Sequence, residues 1–221
     1  MNILAIDTAL EACSVGLSLD DPVRFLANSQ PVIRGHAERL FGMITDVLDE
    51  AGISVADIDR FAATIGPGSF TGIRVGIAAV RGFAIVSGVP TLGVSTLAAH
   101  AESARDGADK KPVLAVLPAK GDEVFGQLFT SAGTTITEAK VGSPRYFAGV
   151  AEKAGAVVAG AGSKRLALSG GLSLTVVHSQ SAPDIRSVIR VAASADSTAT
   201  ARPLYIKPPD AIRVEAAVLR R

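Results

Sequence analysis

Apolar positions along the chain follow two rhythms, and the switch between them predicts most of the architecture. Residues 3–7 (ILAID) and 12–19 are near-continuous apolar runs joined by a short turn, and 23–30 is a weaker third run; all three read as strands. The rhythm then changes. Between His36 and Ala51 the apolar residues are Ala37, Leu40, Phe41, Ile44, Val47, Leu48 and Ala51, stepping by three and four as one side of a helix does. Gly52 ends that helix. Residues 61–65 form a short buried strand, a glycine-rich loop follows, and a second helix is expected over 71–87. A strand at 91–94 and a helix capped by Ser95 or Thr96 complete the order βββαβαβα. Residues 104–112 (ARDGADKKP) are polar and charged and read as a linker.

The pattern then restarts. ILAIDTALEACSVGLSL from Ile3 lies without a gap on VLAVLPAKGDEVFGQLF from Val113: Leu4 meets Leu114, Ala5 meets Ala115, Ala9 meets Ala119 and Gly16 meets Gly126. Further on, IGPGS (65–69) is echoed by AGAGS (159–163). Two matches in the same order indicate an internal duplication. Tandem βββαβα-type units imply an α/β, actin-like fold, that of sugar kinases and Hsp70-type ATPases, with two domains facing a cleft. The expected domains are 1–103, a linker at 104–112, and 113–221. The second is expected to be reduced, because LSGGLSL (168–174) stands where a long helix is expected. Roughly the last 20 residues are expected to pack back on the first domain.

Composition narrows the function classes. Lys plus Arg is 22 and Asp plus Glu is 21, so the chain lacks the overall basic charge of a stand-alone nucleic-acid binder. A single cysteine, Cys13, excludes an internal disulfide framework and a cysteine-rich metal site, and reads as a small buried hydrophobe. No basic region precedes the apolar MNILAID start, which argues against a signal peptide. The apolar stretch 75–89 is short for a bilayer and contains Arg81, so the chain reads as cytoplasmic, with no membrane partner.

The loop 66–72 is the first candidate for chemistry. A Walker loop needs a second glycine five positions on, followed by lysine, and neither Gly66 nor Gly68 meets this. G-x-G-x-x-G also fails, because Gly72 comes one residue late. Ser69 and Thr71 nevertheless sit at a helix N-terminus, where an anion or simple capping are both open readings. Asp7 ends the first strand, where actin-like ATPases hold a metal aspartate; it also suits a local turn with Thr8. Its counterpart in the second half is Leu117, next to Pro118. The histidines, His36, His100 and His178, lie far apart without a metal-binding spacing.

The helix behind the loop suggests a different use. Gly72, Gly76, Ala79 and Gly82 form a small-residue stripe, while Val75, Phe83 and other large apolar residues occupy the remaining sides. Each glycine inside a helix costs about 1 kcal/mol relative to alanine, so tertiary packing must offset the stripe. A helix apolar all round must be buried on more than one side. Gly42 and Met43 likewise widen the apolar side of the first helix. A docking face built from this helix pair is therefore expected.

GPGSFTGIRVGIAAVRGFA, together with ILAIDTALEACSVGL, HAERLFGMITDVLDEAGI, GVSTLAAHA and ARPLYIKPPDA in order, closely resembles the bacterial TsaB (YeaZ) family. The resemblance implies an actin-like, non-catalytic scaffold that acts in forming N6-threonylcarbamoyladenosine at position 37 of tRNAs reading codons beginning with A. It implies a TsaD-type catalytic partner, a TsaE-type ATPase in the same assembly, and self-association through the same helix pair. Transfer RNA would be met only through the complex. No cofactor of its own is implied, with ATP or ADP placed at a subunit boundary. Carried onto this chain, the interface comprises Leu40, Met43, Ile44 and Val47 on one helix, and Gly72, Val75, Gly76, Ala79, Gly82 and Phe83 on the other. The chain departs from the family's Asp-Ala-Arg and Glu-Val-Tyr segments, reading Pro118-Ala119-Lys120 and Glu123-Val124-Phe125, and has Lys207 where arginine is usual.

Overall fold

The computed structural model describes residues 1–20, 23–169, 174–195 and 200–206. The glycine pair of LSGGLSL, Lys207 and most of the final 20-residue segment of the sequence lie outside the described residues.

The first half runs β1 (Ile3–Asp7), β2 (Ala12–Asp20), β3 (Val23–Pro31), α1 (His36–Ala51), β4 (Arg60–Gly66), α2 (Phe70–Ser87), β5 (Thr91–Ser95) and α3 (Thr96–Ala104). The second runs β6 (Val113–Pro118), β7 (Val124–Phe129), β8 (Lys140–Gly142), α4 (Pro144–Ala154), β9 (Val157–Ala159), α5 (Ser163–Leu168), β10 (Val176–His178) and α6 (Ile185–Ser194). The sheet orders are β3-β2-β1-β4-β5 and β8-β7-β6-β9-β10, the same arrangement twice. In each sheet the first three strands are antiparallel and the last two join in parallel. This tandem repeat is the actin-like fold. The second copy is reduced: β8, β9 and β10 have three residues each, and α5 has 6 where α2 has 18.

Alternation along the central strands sorts the core. In β1, Leu4 and Ile6 face α1 and α2, packing with Leu40, Ile44, Ile77 and Val80, while Ile3 and Ala5 face α6. In β6, Leu114 and Val116 face α4 and α5, while Val113, Ala115 and Leu117 face α3. The last helix of each half thus packs on the other half's sheet. Val188, Ile189 and Ala192 of α6 join Leu92 and Val94; Leu97, Ala101 and Ala104 of α3 join Val157 and Ala159. Chain order assigns α6 to the second half, but its contacts place it on the first sheet. Ala201 also reaches the first core, and the Leu204 N–H bonds the Ile65 carbonyl at 2.8 Å.

Local chemistry sets the boundaries. Gly52 takes φ 73°, a left-handed position suited to glycine, and its N–H closes the end of α1. Ser95, rather than Thr96, caps α3, accepting from the Ala98 N–H. One match in the sequence duplication does not survive. Gly16 lies against Ile185 of α6, whereas Gly126 lies against Phe147 of α4, on the opposite kind of face. Ala5 pairs with Gly16, but it is Val116, not Ala115, that pairs with Gly126. The second turn carries one more residue, which shifts the register and reverses the face.

Candidate functional site

The glycine loop is folded down onto the turn after β1. The Ser69 N–H donates to the Ala9 carbonyl at 2.7 Å, and the Thr8 hydroxyl donates to the Gly72 carbonyl at 2.7 Å. A Cβ on Gly68 would collide with the Ala9 carbonyl oxygen, and one on Gly72 with that of Thr8. At Gly76 it would come within 2.7 Å of the Thr8 hydroxyl. The Ser69 hydroxyl is occupied in capping α2, accepting from the Gly72 N–H at 3.3 Å. His36, with Nε2 3.0 Å from the Leu10 carbonyl, ties down the same turn from α1. A phosphate loop requires a concavity of free N–H groups; here the space is filled by backbone. The second half repeats the device, with Gly160 and Gly162 against Val116 and the Gly162 N–H bonding the Val116 carbonyl at 3.0 Å.

Asp7 is sealed beneath this turn at 0% exposure. Its carboxylate accepts from the Thr64 hydroxyl at 2.6 Å and the Ala9 N–H at 3.0 Å. Burial raises its pKa, against the lowering effect of the Thr64 and Ala9 bonds. Among the described residues, no three His, Cys, Asp or Glu side chains converge on a metal-sized point. Ser69 and Thr71 line a cleft of about 410 Å³ with Arg34 and Glu38, where the N-termini of α1 and α2 meet. Burial pushes the Cys13 thiol up to about 11, in keeping with a small buried hydrophobe.

The helix pair divides the expected interface residues in two. Leu40, Met43, Ile44 and Val47 are at most 3% exposed and belong to the chain's own core. Gly72, Gly76 and Ala79 are buried as well, facing β1 and β4. These seven are therefore covered within the chain itself: the small-residue stripe lets α2 approach its own sheet and the Thr8 backbone. Val75 and Phe83 are half-buried, and Gly82 is open, with no heavy atom within 4 Å of its Cβ position.

The outer side consists of other residues. Thr71, Val75, Ala78, Gly82 and Val86 step by four, three, four and four along α2, and Phe41 stands beside them on α1. Phe41 is 57% exposed, Ile85 84% and Val86 86%. Phe83 links this surface to the core, 6.2 Å from Phe41 edge-on and 5.6 Å from Phe61 stacked. Arg74 covers the Phe70 ring at 3.7 Å and reaches the Tyr205 hydroxyl at 3.3 Å, forming one rim. The sequence carried this second stripe too. Both sides carry small residues; Gly72 and Gly76 lie against Thr8, whereas Gly82 lies open. The same helix is long and apolar enough to cross a membrane by length and composition alone, with a mean hydropathy of 1.4. It begins at Phe70, which corrects the length argument drawn from 75–89, and its inner side packs as a sheet-covering helix does.

A family model described as TsaD, tRNA N6-adenosine threonylcarbamoyltransferase, matches residues 30–209. YeaZ from Pseudomonas aeruginosa superposes with a TM-score of 0.81 at 32% identity, covering 92% of this chain and 99% of that one. The chain belongs to the TsaB (YeaZ) family. The tRNA threonylcarbamoyladenosine biosynthesis protein TsaB of Escherichia coli K12 is 44% identical over 127 residues, 57% of this chain and 53% of that protein. The chain spans about half the length of the curated TsaB relatives it matches. An uncharacterized Mycobacterium tuberculosis protein is 30% identical over 95% of this chain and 93% of its own. The family model carries the name of the threonylcarbamoyltransferase, while the Escherichia coli relative carries that of TsaB.

Proposed function

We propose that this TsaB-family chain is a non-catalytic scaffold subunit in the formation of N6-threonylcarbamoyladenosine on tRNA, and that it binds and activates a TsaD-type catalytic subunit. The observation that carries the reading is the exposed apolar side of α1 and α2, centred on Phe41, Ala78, Gly82 and Val86. Alanine and glycine at the centre admit a partner helix at close range, and the aromatic and Arg74 rim supplies side chains of the kind that anchor interfaces. With no partner present, a second copy would meet the same side. A TsaE-type ATPase would join the assembly, ATP or ADP would bind at a subunit boundary, and tRNA would be engaged through the complex in the cytoplasm.

The alternative, an actin-like ATPase or phosphotransferase using Asp7 and residues 66–71, is disfavoured by the closed loop and sealed carboxylate. Calorimetry with ATP and magnesium on the isolated chain separates the two, since micromolar binding lost in Asp7→Ala would favour the enzyme. Size-exclusion chromatography with the host's TsaD-type protein tests the scaffold. Ala78→Arg should abolish the complex, and undiminished complex formation would sink the proposal.

A further inference from the structure

The α6-covered face of the first sheet ends in polar groups that the protein leaves without partners. Asp7 follows Ala5 on that face, and its Oδ2 is buried and unpaired. Thr64, bonded to Asp7, is level with Val94 on β5, two residues before Thr96, whose buried hydroxyl is also unpaired. His100 lies one turn further along α3, at 0% exposure, and neither ring nitrogen has a partner. Its ring is 5.3 Å from that of His178 at the end of β10, whose Nε2 is unpaired as well. These groups run along the boundary between the halves, where α3 and α6 exchange sheets. His178 and Ser14, the cross-strand neighbour of Asp7, both line a cleft of about 500 Å³ with Glu11, Gln30 and Asp184. The cleft therefore opens directly onto the His178 end of the row, and onto the cross-strand neighbour of Asp7 at the other.

The chemistry of the row selects its occupant. Burial and the neighbouring His178 hold His100 near 3, so it is neutral at physiological pH, with one ring N–H to donate and one ring nitrogen to accept. The Thr96 hydroxyl does both, and the Asp7 carboxylate accepts when ionised. A cation cannot serve an imidazole N–H, and an anion cannot serve an imidazole lone pair. A dry row would leave all of these groups unpaired, which folded proteins rarely tolerate. A small neutral molecule that both donates and accepts fits every position. We propose that this boundary is a hydrated joint, in which a file of ordered water, exchanging with the cleft, bridges Asp7, Thr96, His100 and His178 and connects the two halves. At this end the halves meet through replaceable solvent rather than interlocked apolar side chains.

A crystal structure that shows ordered solvent is the direct test. Density peaks within hydrogen-bonding distance of Asp7 Oδ2 and of at least one ring nitrogen of His100 are expected, and a row empty of such peaks overturns the proposal. Thermal unfolding supplies an independent sign. In a hydrated row, His100→Leu breaks the water file and lowers Tm by several degrees. In a dry row, the same change removes unpaired groups and raises Tm. Should His100→Leu not fold, His178→Leu, at the accessible end, carries the same comparison.

Discussion

Replacing Gly72 with alanine tests the assignment of the small-residue stripe to the inner side of α2. The added methyl group falls against the Thr8 carbonyl oxygen, which is backbone and held by β1. Relief requires α2 to lift or Thr8 to shift. Either movement breaks the 2.7 Å bond from the Thr8 hydroxyl to Gly72 and strains the 2.7 Å bond from Ser69 to Ala9. Overpacking of this kind costs about 1–3 kcal/mol. Stranding a buried hydrogen-bonding group costs about 1–3 kcal/mol more. The gain in helix propensity returns at most about 1 kcal/mol. The net loss is about 1–5 kcal/mol, or roughly 2–20 °C in Tm for a chain of this size. Gly82→Ala is the control, because nothing lies within 4 Å of its Cβ position; it should gain about 0.5–1 kcal/mol. Urea and thermal unfolding of the two variants measure the contrast. A Gly72→Ala protein as stable as the parent, or a more damaging Gly82→Ala, would refute the assignment.

Further predictions follow from the same geometry. Val86→Asp should leave stability within about 0.5 kcal/mol, as surface changes usually do, while weakening self-association and TsaD-type binding at least tenfold in sedimentation or calorimetry. Leu40→Ala should cost about 2–5 kcal/mol in unfolding experiments, because that side chain is core; a stable Leu40→Ala that fails only in binding would return it to the interface. Ser69→Ala should cost about 1 kcal/mol through loss of the cap, with no change in nucleotide binding. His100 sets a pH dependence. Its folded value near 3 lies below the ordinary 6.5, so its contribution is complete above about pH 6.5 and drains away as pH falls towards 3. Asp7 acts in the opposite sense, its raised folded value giving stability that is lost as pH rises from 3.8 through that value. His100→Gln isolates the histidine contribution; identical slopes in parent and variant between pH 4 and 7 would contradict it.

Strand and helix positions were legible because apolar period follows secondary structure directly: ILAID alternates between two covered faces, and Leu40, Ile44 and Val47 step along one side of a helix. The duplication was legible in β1 and β6, whose alternation matches residue for residue. It failed at Gly16 and Gly126, because one added turn residue reverses a face without altering the apolar pattern. Seven of the ten residues expected at the interface pack inside the chain, on the inner sides of α1 and α2. Glycine spacing reveals that something approaches closely, not what approaches, and at Gly72 and Gly76 it is Thr8 of the same chain. The packing of α6 on the first sheet was not readable from local pattern at all. Ile185, Val188 and Ile189 fit a helix against either sheet, and only the cross-over of the halves selects one.

That reciprocal packing also constrains how the protein is made. Ile3, Ala5, Leu92 and Val94 leave the ribosome with the first half, yet their cover, Val188, Ile189 and Ala192, is encoded near the other end. At synthesis rates of about 5–20 residues per second, the intervening chain of roughly 90 residues takes about 5–20 s to appear. Through that interval one side of a finished sheet stays apolar and uncovered, long enough for a chaperone to find it. Messages truncated before α6 should therefore yield insoluble product, even though every strand of the first sheet has been translated.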